Sequence, residues 1–170
     1  MSHCHQPEFK PLRVKVVTVS DTRNSQGDTS GQLIEEKLRS AGHEVTQRQI
    51  VRDTIQEIRD AISSSDAQVF VINGGTGVTK RDLTPEAIEP MFDKKLPGFG
   101  ELFRQLSYDE IGTSTVQSRC LAGLSNNTAI FCVPGSTGAC KTGWNGIIKQ
   151  QLDSTFQPCN FVQHVRKKSL

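Results

Sequence analysis

Strand and helix patterns alternate through the first half of this chain, and that alternation restricts the fold more than any other feature. The β-branched run "RVKVVTV" (residues 13–19) predicts a strand that ends at the polar loop "SDTRNSQGD". A helix over residues 29–42, a half-buried strand over 43–51, a helix from Asp53 and the fully apolar strand "AQVFVI" follow in order. This β-α-β-α-β series predicts an α/β fold with a mainly parallel sheet.

The second half of the chain predicts an antiparallel addition to that sheet. The runs "RCLAGLS" and "TAIFCV" flank the dipeptide "NN", as two strands joined by a tight turn would. Three helices are predicted around them. The first starts near Thr84 and is kept short by Pro90. Apolar positions at helical spacing mark the other two: Phe99, Leu102, Phe103 and Leu106, then Cys140, Trp144, Ile147 and Ile148.

Three of the predicted helices carry N-terminal capping signals. Thr29 with Gln32 fits a capping box, in which the threonine hydroxyl satisfies a free backbone N–H. Asp53 with Gln56 is an equally good helix start, and Thr84 before Pro85 combines an N-cap with a proline in the first turn. We therefore expect Thr29, Asp53 and Thr84 at the N-caps.

Length and charge favour one ordinary globular domain. The chain has 170 residues and a net charge of +2, and we predict a domain over residues 13–155 between a flexible segment, 1–12, and a tail, 156–170. Near-neutral charge, with one Trp and one Tyr for base stacking, disfavours nucleic acid as a partner. No apolar run approaches the roughly 20 residues of a spanning helix, so we expect a cytoplasmic protein without membrane contact.

The cysteines and histidines do not predict a metal centre. Five cysteines without paired close spacing favour reduced thiols over a disulfide framework or a structural zinc site. Cys132 and Cys140 lie in apolar patterns and are expected in the core. The "HCH" of residues 3–5 could bind a metal adventitiously, but a chain terminus holds one poorly, so we assign it no function.

The polar loops of the predicted sheet follow the carboxyl ends of its strands. Four loops do so, "SDTRNSQGDTSG", "RD" at residues 52–53, "NGGTGVTKRD" at 73–82 and "PGSTG" at 134–138. Ligands of open α/β sheets bind outside these strand ends, where loops and helix amino termini converge. The pattern predicts a ligand site at one rim of the sheet.

The loop at residues 73–82 has the composition of an anion site. Glycines let backbone N–H groups approach a phosphate without side chains intervening, which makes Gly74, Gly75, Thr76 and Gly77 candidate phosphate binders. The spacing matches neither the Walker loop nor the G-x-G-x-x-G fingerprint. A tight turn that needs positive φ would explain the glycines equally well.

Other residues at this rim also have plain structural interpretations. Asp53 could simply cap its helix, and Asp82 could be a turn carboxylate paired with Arg81. Lys80 and Arg81 could be solvated charges. The "PGS" of residues 134–136 reads as a turn and a helix cap, and Glu101 with Arg104 as an exposed pair on a helix.

An ordered series of short motifs resembles one family. The motifs are "VTVSDTR", "DTSG", "AGHEV", "IVRD", "GGTGVTKRDLTPEA", "LPGFGELFR", "SYDEIGTS", "SRCLAG" and "VPGST". Together they are similar to the molybdenum cofactor biosynthesis protein B family, a relative of the molybdopterin adenylyltransferases. The likeness runs from about Val14 to the final helix, nearly the whole chain.

The resemblance implies a three-layer α/β sandwich of the molybdopterin-binding type, assembled as a homotrimer or a homohexamer. It implies molybdopterin as ligand and, in the adenylyltransferases, transfer of AMP from Mg-ATP to the terminal phosphate of the pterin with release of pyrophosphate. It also allows contacts with other proteins of molybdenum cofactor biosynthesis. The alternatives are a carrier that binds molybdopterin without chemistry and a nucleotide hydrolase that uses the same loop.

The motif match carries roles to individual residues. Asp53 and Asp82 fall on essential carboxylate positions and are our candidate Mg²⁺ ligands, with Arg81 as the third catalytic candidate. Some members of the family lack one of these positions and are expected not to adenylylate, whereas this chain keeps all three. Pro134, Gly135 and Ser136 join the glycine loop as candidate nucleotide contacts. Candidate pterin contacts are Ser20, Asp21, Ser30, Glu101, Ser107, Ser118 and Arg119.

Overall fold

A computed structural model describes residues 7–165 of the chain. Its six strands are β1 (Arg13–Val19), β2 (Glu44–Val51), β3 (Val69–Asn73), β4 (Lys94–Lys95), β5 (Leu121–Ser125) and β6 (Thr128–Val133). Its helices are α1 (Thr29–Ser40), α2 (Ile55–Ser63), α3 (Thr84–Ile88), α4 (Pro97–Ile111), α5 (Thr137–Gly143) and α6 (Lys149–Gln151). Short 3₁₀ turns span Glu89–Met91 and Gly112–Gln117, and a π-turn over Trp144–Ile148 joins α5 to α6.

The sheet is mainly parallel, as predicted, with an antiparallel edge. Its strand order is β2-β1-β3-β6-β5-β4. β1 pairs in parallel with β2 and β3, and β3 with β6, whereas β5 is antiparallel to both β6 and β4. Asn126 and Asn127 turn the β5–β6 hairpin with positive φ values of 46° and 55°. The two-residue strand β4 has no counterpart in the sequence analysis.

Helices cover both faces of the sheet, which confirms the three-layer architecture. Helix α1, helix α4 and the last helical segment pack on one face, where Ile34, Phe103 and Trp144 contact strand residues of β1, β3 and β6. Helices α2 and α3 pack on the other face through residues such as Ile58 and Ile88. Burial on both faces explains why β3 and β6 read as unbroken apolar runs.

The three predicted N-caps are each wrong by one residue. Asp28 caps α1, accepting a hydrogen bond from Gly31 N at 3.0 Å, so Thr29 is already the first helical residue. Thr54 caps α2 and accepts from Glu57 N at 3.3 Å, which leaves the Asp53 carboxylate for a different partner. Leu83 occupies the N-cap of α3. For α2 and α3 a tertiary contact competes with the local capping signal, because Asp53 Oδ1 accepts from Leu83 N and Thr84 Oγ1 donates to Gly74 O at 2.8 Å.

Pro90 acts as predicted, because α3 ends at Ile88 and the chain continues through a 3₁₀ turn.

The cysteines are also placed as expected: Cys132 and Cys140 are buried, and within residues 7–165 the thiols are free. Burial raises the pKa of both thiols, that of Cys140 to about 12, so neither ionises near neutral pH. The His-Cys-His segment, including Cys4, lies outside the described residues.

The first and last described segments of the chain pack against each other. Lys10 N donates to Ser154 Oγ at 2.7 Å, and Leu12 and Val165 are both buried. The predicted boundaries of the domain at residues 13 and 155 stay predictions, and the last five residues of the predicted tail, 166–170, are outside the description. None of the helices within residues 7–165 has both the length and the apolar character to cross a membrane.

Candidate functional site

The loops that follow β1, β2, β3 and β6 meet at one rim of the sheet. Ser20 N at the end of β1 donates to Val51 O at 2.9 Å, and Gly74 N at the end of β3 donates to Val133 O at 3.0 Å. A Cβ added to Gly135 would lie 3.1 Å from Gly74 Cα, so the loops after β3 and β6 are in direct contact. The rim is therefore one continuous surface, as the strand order predicts.

Asp53 lies against the glycine loop. Its Oδ1 accepts a hydrogen bond from Leu83 N at 2.9 Å. A Cβ on Gly75 would lie 2.8 Å from Asp53 Oδ2 and 2.3 Å from Thr84 Oγ1, so a side chain at position 75 would displace both groups. Gly75 also has a φ of +65°, which other residues rarely adopt. The glycine is required here because a carboxylate takes the space that a side chain would fill.

Asp82 lies against the same loop from the other end. Its Oδ2 accepts from Thr79 N at 2.8 Å and from Thr79 Oγ1 at 2.7 Å. A Cβ on Gly77 would lie 2.8 Å from that same oxygen and 3.2 Å from Oδ1. Both candidate carboxylates thus occupy the space that a side chain on a glycine would fill. The glycines can therefore be required for the turn and also form part of an anion site.

The two carboxylates differ in their electrostatic surroundings. Burial raises the pKa of Asp53, and the nearby charges of Asp82, Asp21 and Glu86 raise it further against the Leu83 hydrogen bond. Burial acts in the same direction on Asp82, but hydrogen bonds from Thr79 outweigh it and lower the pKa of that carboxyl. Asp53 is therefore the carboxylate whose charge the site disfavours, which a bound cation would relieve.

The donor set fits a magnesium ion that arrives with phosphates. No group of three or more His, Cys, Asp or Glu side chains within residues 7–165 is arranged to hold a metal. Mg²⁺ keeps several waters and needs only one or two carboxylates plus substrate phosphates. Asp53 and Asp82 fit that requirement, because each commits one oxygen to the loop and has a second one.

Arg119 is placed differently from the expectation of a pterin contact. Its Nε donates to Gly77 O at 2.7 Å, and its Nη2 donates to Asp82 O at 2.7 Å. Its Nη1 pairs with the Glu86 carboxylate at 2.5 Å, and its backbone N donates to Thr76 O at 2.9 Å. The guanidinium thus holds both ends of the loop that carries Asp82. The predicted ligand role of Arg119 remains untested beside this positioning role.

A cavity of about 280 Å³ opens beside the glycine loop, between α4, the 3₁₀ turn after it and the start of α5. Six predicted site residues line it: Thr76, Gly77, Ser107, Ser118, Pro134 and Ser136. Ser136 also caps α5 as expected, accepting from Ala139 N at 3.2 Å. The buried Ser118 Oγ finds no oxygen or nitrogen partner within residues 7–165, and its hydrogen-bond partner is the thiol of Cys120, which is a weak one.

Two predicted pterin contacts lie in hydrogen-bond networks of the protein. Ser30 is fully buried, and its Oγ donates to Asn73 Oδ1 at 2.9 Å while the Arg23 guanidinium donates to it. Arg23 also donates to Gly135 O at 2.9 Å, which ties the loop after β1 to the loop after β6. Ser20 Oγ accepts from Arg23 N at 3.1 Å. These contacts position the rim loops.

The remaining predicted site residues are scattered around the rim. Asp21 Oδ1 accepts from Asp53 N at 3.0 Å, which places it beside the carboxylates. Arg81 is exposed, and within the described part of the chain its side chain forms no ion pair, so the expected pairing with Asp82 is absent. Glu101 lies apart, at a separate pocket of about 170 Å³ that Arg104 also lines. Arg104 donates to Ser118 O at 3.3 Å.

Among the residues of the 280 Å³ cavity that sequence reasoning did not assign to the site, Glu110 and Thr142 form a pair. Thr142 Oγ1 donates to Glu110 Oε1 at 2.8 Å across 32 residues of sequence, and no local motif announces such a contact. One signal was available. Glu110 is the penultimate residue of α4, where the helix dipole disfavours a carboxylate.

Comparisons with known proteins identify the family of the chain. Residues 15–154 match the family described as "Probable molybdopterin binding domain". Molybdenum cofactor biosynthesis protein B of Escherichia coli K12 is 49% identical over 164 residues, covering 94% of this chain and 96% of its own. The Bacillus subtilis protein of the same name is 42% identical over 161 residues, covering 92% and 91%.

Solved structures share the fold. A crystal structure of molybdenum cofactor biosynthesis protein B superposes with a TM-score of 0.81 at 45% identity, covering 84% of this chain and 92% of its own. The tungsten cofactor synthesizing protein MoaB from Pyrococcus furiosus gives a TM-score of 0.73 at 41% identity, covering 81% and 91%. Matched along nearly its whole length in sequence and in fold, this chain belongs to the molybdenum cofactor biosynthesis protein B family.

Proposed function

We propose that the protein binds molybdopterin and transfers AMP from Mg-ATP to its terminal phosphate, releasing pyrophosphate. One observation carries the proposal: two carboxylates abut a glycine loop that also forms a wall of a cavity large enough for a pterin. The names of the relatives place them in the same biosynthetic route, and the family description names molybdopterin.

The reaction needs positioning more than proton transfer. An oxygen of the pterin phosphate attacks the α-phosphorus of ATP, and the bond from that phosphorus to the bridging oxygen breaks. Pyrophosphate leaves with the electron pair of that bond. Because the attacking oxygen is already anionic at neutral pH, no strong general base is required. The main obstacle is bringing two polyanions together, which preorganised positive charge and N–H donors overcome.

Each part of the rim has a role in this proposal. In the loop of Gly74, Gly75, Thr76 and Gly77, Gly74 N donates to Val133 O and Gly77 N to the Asp82 carboxylate, so the N–H groups of Gly75 and Thr76 are the candidate donors to the nucleotide phosphates. The neighbouring turn of Pro134, Gly135 and Ser136 completes this part of the proposed nucleotide site. Asp53 and Asp82 orient the waters of the metal, which supplies charge neutralisation when bound. The exposed guanidinium of Arg81 is free to approach the migrating phosphoryl group.

The pterin would occupy the 280 Å³ cavity. Ser107 and Ser118 line it, and a polar ring would offer the Ser118 hydroxyl a stronger partner than the Cys120 thiol. Phe103 and Ile111 supply apolar contacts for the flat surface of such a ring. The positions of Ser30 and Arg119 favour a role in holding the loops rather than in contacting the ligand.

The proposal includes a cytoplasmic homotrimer or homohexamer. Apolar side chains on α4 and the turn after it are exposed, among them Tyr108, Ile111 and Val116, the last with 77% of its surface accessible. Exposed apolar groups gathered on one segment are typical of a protein–protein interface. They support self-association or contact with other proteins of molybdenum cofactor biosynthesis.

A carrier that holds molybdopterin without chemistry is the second candidate. The family name fits it, since a biosynthesis protein need not be catalytic. The placement of both carboxylates against the phosphate loop favours the enzyme, because a carrier has no use for a metal-binding pair. A simple nucleotide hydrolase would not need the cavity.

Incubation of the protein with molybdopterin and Mg-ATP, followed by mass analysis, tests the proposal. We expect adenylylated pterin and an equal amount of pyrophosphate, with both dependent on the pterin. Asp82→Asn should lower the rate about 100-fold or more at an unchanged fold, and Asp109→Asn, an exposed carboxylate on α4, should not. Pterin binding without product would favour the carrier, and full activity of Asp82→Asn would remove Asp82 from the mechanism.

A further inference from the structure

We propose that Glu110, held by Thr142, forms the end of the cavity that selects a ring with two adjacent N–H donors, which is the 2-amino-4-oxopyrimidine edge of a pterin. The inference rests on the proposed function and deepens it by naming how that ligand is told from similar rings. It assigns a specificity role to residues that neither the motifs nor the family description single out.

Glu110 is the one ionised side chain among the fifteen described residues that line the cavity. The other lining groups are hydroxyls, one amide, small residues and apolar side chains such as Phe103 and Ile111. A single carboxylate in such a lining gives the cavity one strong acceptor. A ligand with N–H donors at one edge would therefore orient that edge towards Glu110.

Thr142 fixes the carboxylate. Its Oγ1 lies 2.8 Å from Glu110 Oε1 and 3.1 Å from Gly138 O, so its one proton is shared between two acceptors on the cavity wall. The contact joins α4 to α5 across the cavity mouth and limits the rotamers of an otherwise exposed glutamate. A carboxylate with two oxygens in a fixed plane matches a pair of parallel N–H donors.

The position of Glu110 has an electrostatic cost that folding alone does not explain. It is the fourteenth of the fifteen residues of α4, where the free carbonyls give the helix end a partial negative charge. A carboxylate there is repelled, and α4 has no basic residue in its last turn to compensate. A ligand that presents two N–H groups would supply that compensation.

The cavity then has two chemically different ends. Thr76 and Gly77, at one wall, belong to the loop that offers N–H donors to phosphates. Thr142 lies six residues beyond the helix cap Ser136, about 9 Å along α5 at the usual helical rise. A molecule with a phosphate at one end and an aminopyrimidinone at the other would place the phosphate at the N–H donors and the ring edge at Glu110.

Ligand discrimination provides the test. Neopterin carries the 2-amino group, and the corresponding lumazine has an oxygen in its place, so one ring offers two adjacent donors and the other places an acceptor opposite Glu110. We expect the full-length protein to bind neopterin about ten-fold or more tightly than the lumazine, measured by fluorescence titration at fixed salt. Glu110→Gln should lose most of this preference by weakening neopterin binding.

Two further variants separate this role from a structural one. Asp109→Asn removes the same charge from the adjacent residue of α4, outside the cavity lining, and should leave the preference unchanged. Thr142→Val should reduce the preference in part, because the carboxylate is still present but less fixed. A general weakening of α4 would alter binding of both rings equally in every variant.

The outcomes distinguish the two proposals. A preference for neopterin that Glu110→Gln removes supports the assignment. Equal binding of both rings by the native protein, or a preference that survives Glu110→Gln, overturns the role of Glu110 and leaves pterin binding and adenylyl transfer standing. Binding of neither ring overturns both.

Discussion

The glycine loop and the adjoining cavity lie at the same rim but differ in how their polar groups are paired. In the loop, polar groups are paired within the protein: Asp53 with Leu83 N, Asp82 with Thr79, and Arg119 with two backbone carbonyls. In the cavity, Ser118 Oγ has no oxygen or nitrogen partner among the described residues, and Glu110 stands in an unfavourable position. The loop is preorganised by the protein, whereas the cavity is completed by its ligand.

Alanine at two glycines should produce the largest contrast between these regions. Gly75→Ala forces a Cβ into Asp53 and Thr84 at a positive φ, so we expect about 3 kcal/mol of lost stability and about 100-fold lower turnover. Gly138→Ala, in a cavity wall with no atom within 4 Å, should leave stability unchanged or raise it by up to about 1 kcal/mol. Urea unfolding and the adenylylation assay measure both. Equal effects would show that the loop is no more constrained than the cavity.

Replacing Arg119, whose guanidinium holds the loop, should have the next largest effect on stability and turnover. Arg119→Lys keeps the charge but not the directed donors to Gly77 O and Asp82 O, so we expect a loss of about 2 kcal/mol. If the loop geometry is what Arg119 supplies, turnover falls with little change in pterin affinity. Glu86→Gln serves as a control, since a partly exposed ion pair contributes at most about 1 kcal/mol. A selective loss of pterin affinity would instead restore Arg119 as a ligand contact.

Two serine-to-alanine substitutions test the same contrast between loop and cavity, with smaller expected effects. Ser30→Ala leaves Asn73 Oδ1 without its 2.9 Å donor and Arg23 Nη1 without the hydroxyl that accepts from it, and should cost about 1 to 2 kcal/mol. Ser118→Ala removes a hydroxyl whose partner in the protein is the weakly bonding Cys120 thiol, so stability should change little, while neopterin affinity should drop a few-fold. Thermal unfolding and ligand titration separate the two. A stability loss at Ser118 would contradict the contrast.

The smallest effects concern pH and the two carboxylates. The raised pKa of Asp53 means that its contribution to stability is present below about pH 3.9, the ordinary value, and is lost as pH rises through the folded value. Asp53→Asn should therefore be at least as stable as the native protein at pH 7, with the difference vanishing near pH 4. Activity should nevertheless be lost, since the metal needs the charged form.

The lowered pKa of Asp82 has the opposite sign. Its contribution is present above about pH 3.9 and is lost as pH falls through the folded value, so Asp82→Asn should be slightly less stable at pH 7 and equal to the native protein in stronger acid. Urea midpoints at pH 7 and pH 4 measure the trend for Asp53→Asn, and midpoints at pH 7 and about pH 2 measure that for Asp82→Asn, because the lowered pKa keeps Asp82 largely ionised at pH 4. The same sign for both variants would show that the hydrogen bonds of Asp82 do not set its pKa.

The sequence predicted the layers and the rim because both follow from short-range patterns. Unbroken apolar runs identify strands buried on two faces, and the order of elements places their carboxyl ends together. The caps were wrong because a tertiary donor, Leu83 N, takes Asp53, and Asp28 lies one residue before the expected capping box. Arg119 contacting Glu86 and Thr142 contacting Glu110 are pairs separated by 33 and 32 residues, so only the folded chain brings them together.

The carboxylates that occupy the space over Gly75 and Gly77 also constrain how this protein can evolve. A side chain at either glycine is sterically excluded while the aspartate opposite it is present. The aspartate must therefore be substituted before the glycine can be. Gly75 is restricted further, because Thr84 Oγ1 and the positive φ would exclude a side chain there even after the loss of Asp53.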